Sequence, residues 1–176
     1  MIMEYCNGSD LAVLLGVRKQ LTQREVSLIL RQVVKGLIKI WQLHMIHRDM
    51  KLANILLNFP DNPEVGQMSR IDKKKWLASI DLTKIRFEAK ISDFGLSTIL
   101  ESSTSQLSIC GTPLYSSPQL LKKRGYSYKV DIWALGIMCY ELLMGQTPFH
   151  SFEMNELLDK INKGIYTVHT KDPVSV

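Results

Sequence analysis

The sequence has few cysteines, and none is placed to hold a metal or staple the chain. Cys6, Cys110 and Cys139 stand far apart, are odd in number and show no C-x-x-C or Cys/His spacing. That excludes a zinc site and a disulfide framework and predicts reduced thiols. Long apolar runs are absent as well. The longest, Ile132 to Met144, falls short of the roughly 18 residues a membrane span needs, carries Glu141 and reads as a buried helix. Met1 to Asp10 lacks the basic start and apolar stretch of a signal peptide, so a cytoplasmic or nuclear location is expected. No two of the 10 glycines are separated by a single residue, so there is no G-x-G turn to wrap phosphates. Internal repeats and Pro/Gly/Ser linkers are missing too.

What remains is an ordinary globular balance. The chain has 176 residues, 45% apolar and 22% charged, with a net charge of +5. Collagen-like, low-complexity and wholly disordered readings are excluded, and the length suits one domain or a large part of one. Lys73, Lys74 and Lys75 form one basic cluster, and Lys122, Lys123 and Arg124 another. Both read as solvated surface ahead of a contact to an acidic partner, and no nucleic-acid role is expected.

Periodicity sets out the elements. Residues 1–6 read as the end of a strand, followed by an Asn7-Gly8 turn and a short helix from about Asp10. Thr22 and Glu25 have capping-box spacing. After them Val26, Ile29, Leu30, Val33, Leu37, Ile40, Trp41 and His44 form one apolar stripe, predicting a helix to about Met45. Ile55-Leu56-Leu57 suits a short strand at the end of a loop over 46–58. From Phe59 to about Lys84 the periodicity fails, and residues 59–88 read as an inserted, mobile surface loop ahead of a docking element, with a short helix around Trp76. A strand over 89–92, a short helix near Pro118, a buried helix over 131–144 stopped by Gly145, and a helix over 153–163 follow.

The chemistry lies in His47-Arg48-Asp49-Met50-Lys51-Leu52-Ala53-Asn54, on the loop between the long helix and a short strand. A carboxylate, an ammonium and an amide oxygen there supply a base, a phosphate clamp and a metal ligand. Downstream, Asp93-Phe94-Gly95 adds a second hard oxygen, an apolar anchor and a flexible hinge. Two oxygen ligands suit Mg²⁺, which takes most of its coordination from water and phosphate.

These two motifs in this order resemble the protein kinase family, as catalytic loop and metal-binding motif. Three further stretches extend the resemblance over nearly the whole chain. Gly111 to Gln119 looks like the end of the activation segment (93–119). Asp131 to Gly136 looks like the start of the central buried helix (131–145). Met3 to Leu11 resembles the interlobe hinge (1–11), with Met3 as gatekeeper.

The resemblance implies an α+β, mainly helical protein-kinase-like fold, and ATP and Mg²⁺ as cofactors. It also implies a role for each matching position. Asp49 takes or orients the proton of the substrate hydroxyl, Lys51 neutralises the γ-phosphate, and Asn54 and Asp93 hold the metal ions. Backbone groups of Glu4 and Cys6 bond adenine, Asp10 the ribose, and Leu56 lies beneath the base. Asp131 supports the catalytic loop from below. Arg48 receives an activation-segment phosphate, for which Ser108 is the matching acceptor. Lys51 opposite Thr112 is the arrangement of serine/threonine kinases, implying a protein partner with a Ser/Thr acceptor. The hinge and the insert look most like the autophagy-initiating branch.

Departures accompany the matches. Leu52 stands for the usual catalytic-loop proline, Ser117 for an alanine and Gln119 for a glutamate. The glycine-rich loop, the small-lobe lysine with its glutamate partner, and the last helices of the large lobe have no counterpart among these residues. The resemblance therefore implies a large lobe that, alone, transfers phosphate inefficiently. The competing reading is a non-catalytic, pseudokinase-like or decoy interaction module.

Overall fold

The computed structural model describes residues 2–99, 112–122 and 127–166. In chain order these form α1 (Leu11–Arg18), α2 (Gln23–Gln42), β1 (Met45–Ile46), β2 (Ile55–Asn58), α3 (Arg70–Ser79), β3 (Glu88–Ile91), β4 (Thr98–Ile99), α4 (Pro118–Leu121), α5 (Lys129–Met144) and α6 (Met154–Lys163). Short 3-10 turns lie between several of them. The result is the expected mainly helical α+β architecture, with two antiparallel two-stranded sheets, β1–β4 and β2–β3.

Helix α2 begins as its sequence requires. The Thr22 hydroxyl accepts the Glu25 amide at 3.3 Å, and the Glu25 carboxylate accepts the Thr22 amide at 3.1 Å. Val26, Ile29, Val33, Leu37 and Ile40 are buried along one face and share a core with Ala134, Met138 and Leu142 of α5. The helix stops at Gln42, three residues before the expected end. His44 is exposed, off the stripe and left-handed at φ 55°, because the chain must reverse there to enter β1. Helix α5 ends at Gly145, whose φ of 81° lets its amide reach the Glu141 carbonyl at 2.8 Å. A smaller cluster of Leu121, Ile137, Phe149, Leu157 and Ile161 joins α4, α5 and α6.

Two further expectations are corrected. Residues 2–6 form no strand, because the edge available to this segment is β2, reached only later, where the Gly8 amide meets the Leu57 carbonyl and the Leu57 amide meets the Ser9 carbonyl. A Cβ on Gly8 would lie 2.5 Å from that Leu57 oxygen, so the close approach needs glycine.

Nor is the 59–88 insert merely a surface loop. It holds the ten residues of α3, and Phe59, Val65, Leu77, Leu82 and Phe87 sit in the main core. Those five have no common period because they pack from turns as well as a helix, which is why the pattern fails in the sequence. Arg18 clasps the insert from α1, donating to the Ile80 carbonyl at 2.9 Å and to both oxygens of Glu25 at 3.0 Å.

Candidate active site

Asp49 lies on the loop between β1 and β2, itself 6% exposed, and its carboxylate collects donors from two parts of the chain. Lys51 Nζ reaches Oδ2 at 2.6 Å and Asn54 Nδ2 reaches the same oxygen at 3.0 Å. The Thr112 amide donates to Oδ1 at 3.2 Å. Lys51 Nζ also lies 3.3 Å from the Thr112 hydroxyl, so the expected Lys51–Thr112 pairing is present. Asn54 spends both its amide hydrogens on Asp49, the second on the backbone carbonyl at 2.8 Å. That orientation leaves its carbonyl oxygen as the group able to meet a cation.

The loop is held from beneath. Asp131, fully buried at the start of α5, accepts the His47 amide at 3.1 Å and the Trp41 indole at 3.2 Å on Oδ2, and the Arg48 amide at 3.0 Å on Oδ1. Two or more donors satisfy a charge that would otherwise be costly to bury. Arg48 takes φ 68°, a left-handed conformation that non-glycine residues adopt at a cost of about 1–3 kcal/mol when the surroundings enforce it. Its Nε donates to the Leu96 carbonyl at 2.6 Å, tying the loop to the segment after Asp93.

His47 is also fully buried. Nε2 lies 3.0 Å from the Ser92 carbonyl and Nδ1 accepts the Asp49 amide at 3.3 Å. A neutral ring protonated on Nε2 satisfies both bonds. The histidine is thus a brace between two loops, with neither nitrogen left for proton transfer. The edge of its ring meets Phe94, centroids 5.2 Å apart.

Asp93 is the other left-handed residue at the site, with φ 62°, and its Oδ1 accepts the Gly95 amide at 3.3 Å. It borders a cavity of about 860 Å³ that Met3, Glu4, Cys6, Leu56 and Ile91 also line. The structure therefore brings residues of the expected hinge and Asp93-Phe94-Gly95 to one opening. Asp10 meets β2 at an isolated bridge with Leu56 and caps α1, its Oδ1 accepting the Val13 amide at 2.8 Å. The Glu4 carboxylate pairs with Lys90, which also bonds Glu88 at 2.9 Å. Burial pushes the Cys6 thiol up, outweighing the pull of Lys90, so the thiolate is disfavoured. Ser108 lies outside the described residues.

Among the described residues there is no group of three or more His, Cys, Asp or Glu side chains able to hold a metal. Asn54 and Asp93, the two expected ligands, would offer oxygen donors only, a chemistry that fits Mg²⁺ and would suit zinc poorly.

Several supporting groups carried no signal of their own in the sequence. Ser92 and Leu96 act through backbone carbonyls, which every residue possesses. Trp41 sits in an apolar stripe and shows its polar role only through Asp131. Asn7 is buried at the hinge, its side chain donating to the Phe59 and Asn62 carbonyls and accepting the Phe59 amide at 2.8 Å. Lys73 of α3 donates to the hinge carbonyls of Asn7 at 2.8 Å and Gly8 at 3.3 Å.

The family model described as protein kinase domain matches residues 1–175. Serine/threonine-protein kinase plk-1 of Caenorhabditis elegans is 36% identical over 166 residues, covering 94% of this chain and 22% of its own length. Serine/threonine-protein kinase PLK2 of Mus musculus is 34% identical over 169 residues, 96% of this chain and 21% of that protein. Serine/threonine-protein kinase ULK1 of Homo sapiens is 31% identical over 157 residues, 89% of this chain and 13% of that protein. The chain spans about a fifth of the length of the first two relatives.

Proposed function

The chain belongs to the protein kinase family, and from that premise we propose that it carries the catalytic loop of a serine/threonine kinase transferring the γ-phosphate of ATP to a protein hydroxyl. The observation that carries this reading is the Asp49 carboxylate, gathered at one point with Lys51, Asn54 and the Thr112 amide. Bound Mg²⁺-ATP supplies the transferable phosphoryl group and the ions that neutralise its charge. The protein's part is positioning and electrostatics, with no covalent nucleophile.

In this reading Asp49 orients the substrate hydroxyl and takes its proton. Lys51 lies within reach of both Asp49 and the activation-segment threonine, placing a positive charge where the transferring group passes. The Asn54 carbonyl oxygen and Asp93 hold the magnesium. The cavity beside Asp93 takes the nucleotide: the backbone of Glu4 and Cys6 faces adenine, Leu56 supports the base, and Asp10 uses the oxygen left over from its cap to bond the ribose. Arg48 awaits a phosphate on Ser108, which orders the segment after Asp93.

The intact set of Asp49, Asn54 and Asp93 favours an enzyme over a non-catalytic module. The test is phosphate transfer by the full-length protein to peptide mixtures bearing a single serine, threonine or tyrosine acceptor. Labelling of serine or threonine is expected. Preferential labelling of tyrosine would overturn the substrate class, and absence of any transfer would overturn the activity.

A further inference from the structure

Helix α3 lies in the insert and is no part of the catalytic machinery. Its inner side is firmly seated. Leu77 is buried, Trp76 meets Phe59 edge-on with centroids 4.8 Å apart, and Lys73 is committed to the hinge carbonyls. The Ser69 hydroxyl caps the helix by accepting the Asp72 amide at 3.1 Å.

The outer side has a different character. At about 100° per residue, Arg70, Ile71, Lys74, Lys75 and Ala78 fall within an arc of about 140°, and all five are exposed. None of the three cations has an ion-pair partner among the described residues. In their midst Ile71 is 68% exposed. Asp72, the acidic residue of this helix, is turned aside and accepts the Ser69 hydroxyl at 2.6 Å.

We propose that the outer face of α3 is a docking face for an acidic segment of a partner protein, with an apolar residue of that segment set on Ile71. A rigid helix presenting one apolar anchor inside a rim of unpaired positive charge matches a short acidic peptide in both size and sign. The platform is already ordered, so binding need not pay to form it. A lipid surface fits less well: helices that lie in membranes offer several bulky apolar groups, and here Trp76 and Leu77 face inward. Single-stranded nucleic acid fits less well too, since the aromatic residue of this helix, Trp76, is turned inward onto Phe59.

The test uses the full chain and fluorescence anisotropy with a labelled, glutamate-rich helical peptide that carries one central leucine. A glutamine-for-glutamate version of the peptide, phosphatidylserine-containing vesicles and a single-stranded DNA serve as comparison probes. The glutamate peptide is expected to bind, to weaken with added salt, and to lose affinity by about tenfold in Lys74→Glu/Lys75→Glu. Ile71→Ser should weaken it by roughly fivefold without altering the salt dependence. Lys39→Glu, a single charge reversal on the exposed side of α2, should leave it unchanged. Arg70→Gln/Lys74→Gln is a milder second variant, and unchanged circular dichroism melting establishes that each variant is folded. Equal loss in Lys39→Glu, equal binding of the glutamine peptide, or binding of only the vesicles or the DNA would overturn the proposal. No nucleotide is present, so the result is independent of whether the chain transfers phosphate.

Discussion

The Arg48 backbone amide donates to Oδ1 of Asp131 at 3.0 Å, across a sequence separation of 83 residues. Arg48 is left-handed at φ 68° and directly precedes Asp49. The strained turn that aims Asp49 is therefore held by a fully buried carboxylate at the start of α5.

Replacing Asp131 with alanine leaves the His47 and Arg48 amides and the Trp41 indole without their acceptor. Hydrogen bonds to a charged group contribute about 1.5–3 kcal/mol each and couple strongly. Asp131→Ala is expected to lower stability by at least about 3 kcal/mol, read as a fall in the urea midpoint. A loss below about 1 kcal/mol would show that the loop holds its shape without Asp131.

Asp49→Asn keeps the shape of the side chain but removes the charge that Lys51, Asn54 and Thr112 surround. In the full-length protein, kcat for peptide phosphorylation is expected to fall by roughly 10²–10⁴. The KM for ATP should change little, because the cavity proposed for the nucleotide lies beside Asp93. An Asp49→Asn protein keeping most of its turnover would remove Asp49 from the role of base.

Glu25 is 1% exposed and carries a consequence for acid stability. Burial pushes its carboxyl up, but the Thr22 amide and hydroxyl, Arg18 and the Leu82 amide together outweigh burial and hold it below the usual glutamate range. A folded-state value below the unfolded one means that the stabilisation is present above the ordinary carboxylate range. It is lost as pH falls through the lowered folded value. Thermal melts of the wild type should therefore drop steeply over that acidic interval. Glu25→Gln should start lower at neutral pH and show a shallower acid decline; parallel curves would refute the assignment.

Gly145 is needed for two reasons. Its φ is 81°, and a Cβ there would lie 2.4 Å from the Lys19 carbonyl oxygen. Gly145→Ala should cost about 2 kcal/mol or more, combining left-handed strain with the clash. Asparagine tolerates the left-handed backbone but keeps the Cβ. Gly145→Asn is thus expected to melt about as low as the alanine variant, and full recovery by asparagine would assign the whole cost to φ.

Much of the site was legible because its determinants are local. Asp49, Lys51 and Asn54 lie within a few positions of each other, as do the three residues of Asp93-Phe94-Gly95, so each motif survives as a readable string. The same holds for the Thr22/Glu25 capping box, which needs only residues one helical turn apart. The insert was legible only as an interruption. Phe59, Val65, Leu77, Leu82 and Phe87 reach the core from turns and a helix of different orientation, and no single period records that.

By itself, the sequence determined the long amphipathic α2, the buried α5 with its glycine stop, and the order of the chemical groups along the chain. These depend on interactions within a turn or two, whose energies hardly vary with the rest of the fold. Tertiary structure alone decided which amides Asp131 takes in supporting the loop, that His47 has both nitrogens occupied, and that Lys73 reaches around to the hinge. Each of those joins main-chain atoms or side chains far apart in sequence. Any residue can supply a carbonyl or an amide, so the partner is selected only when packing brings the two segments together.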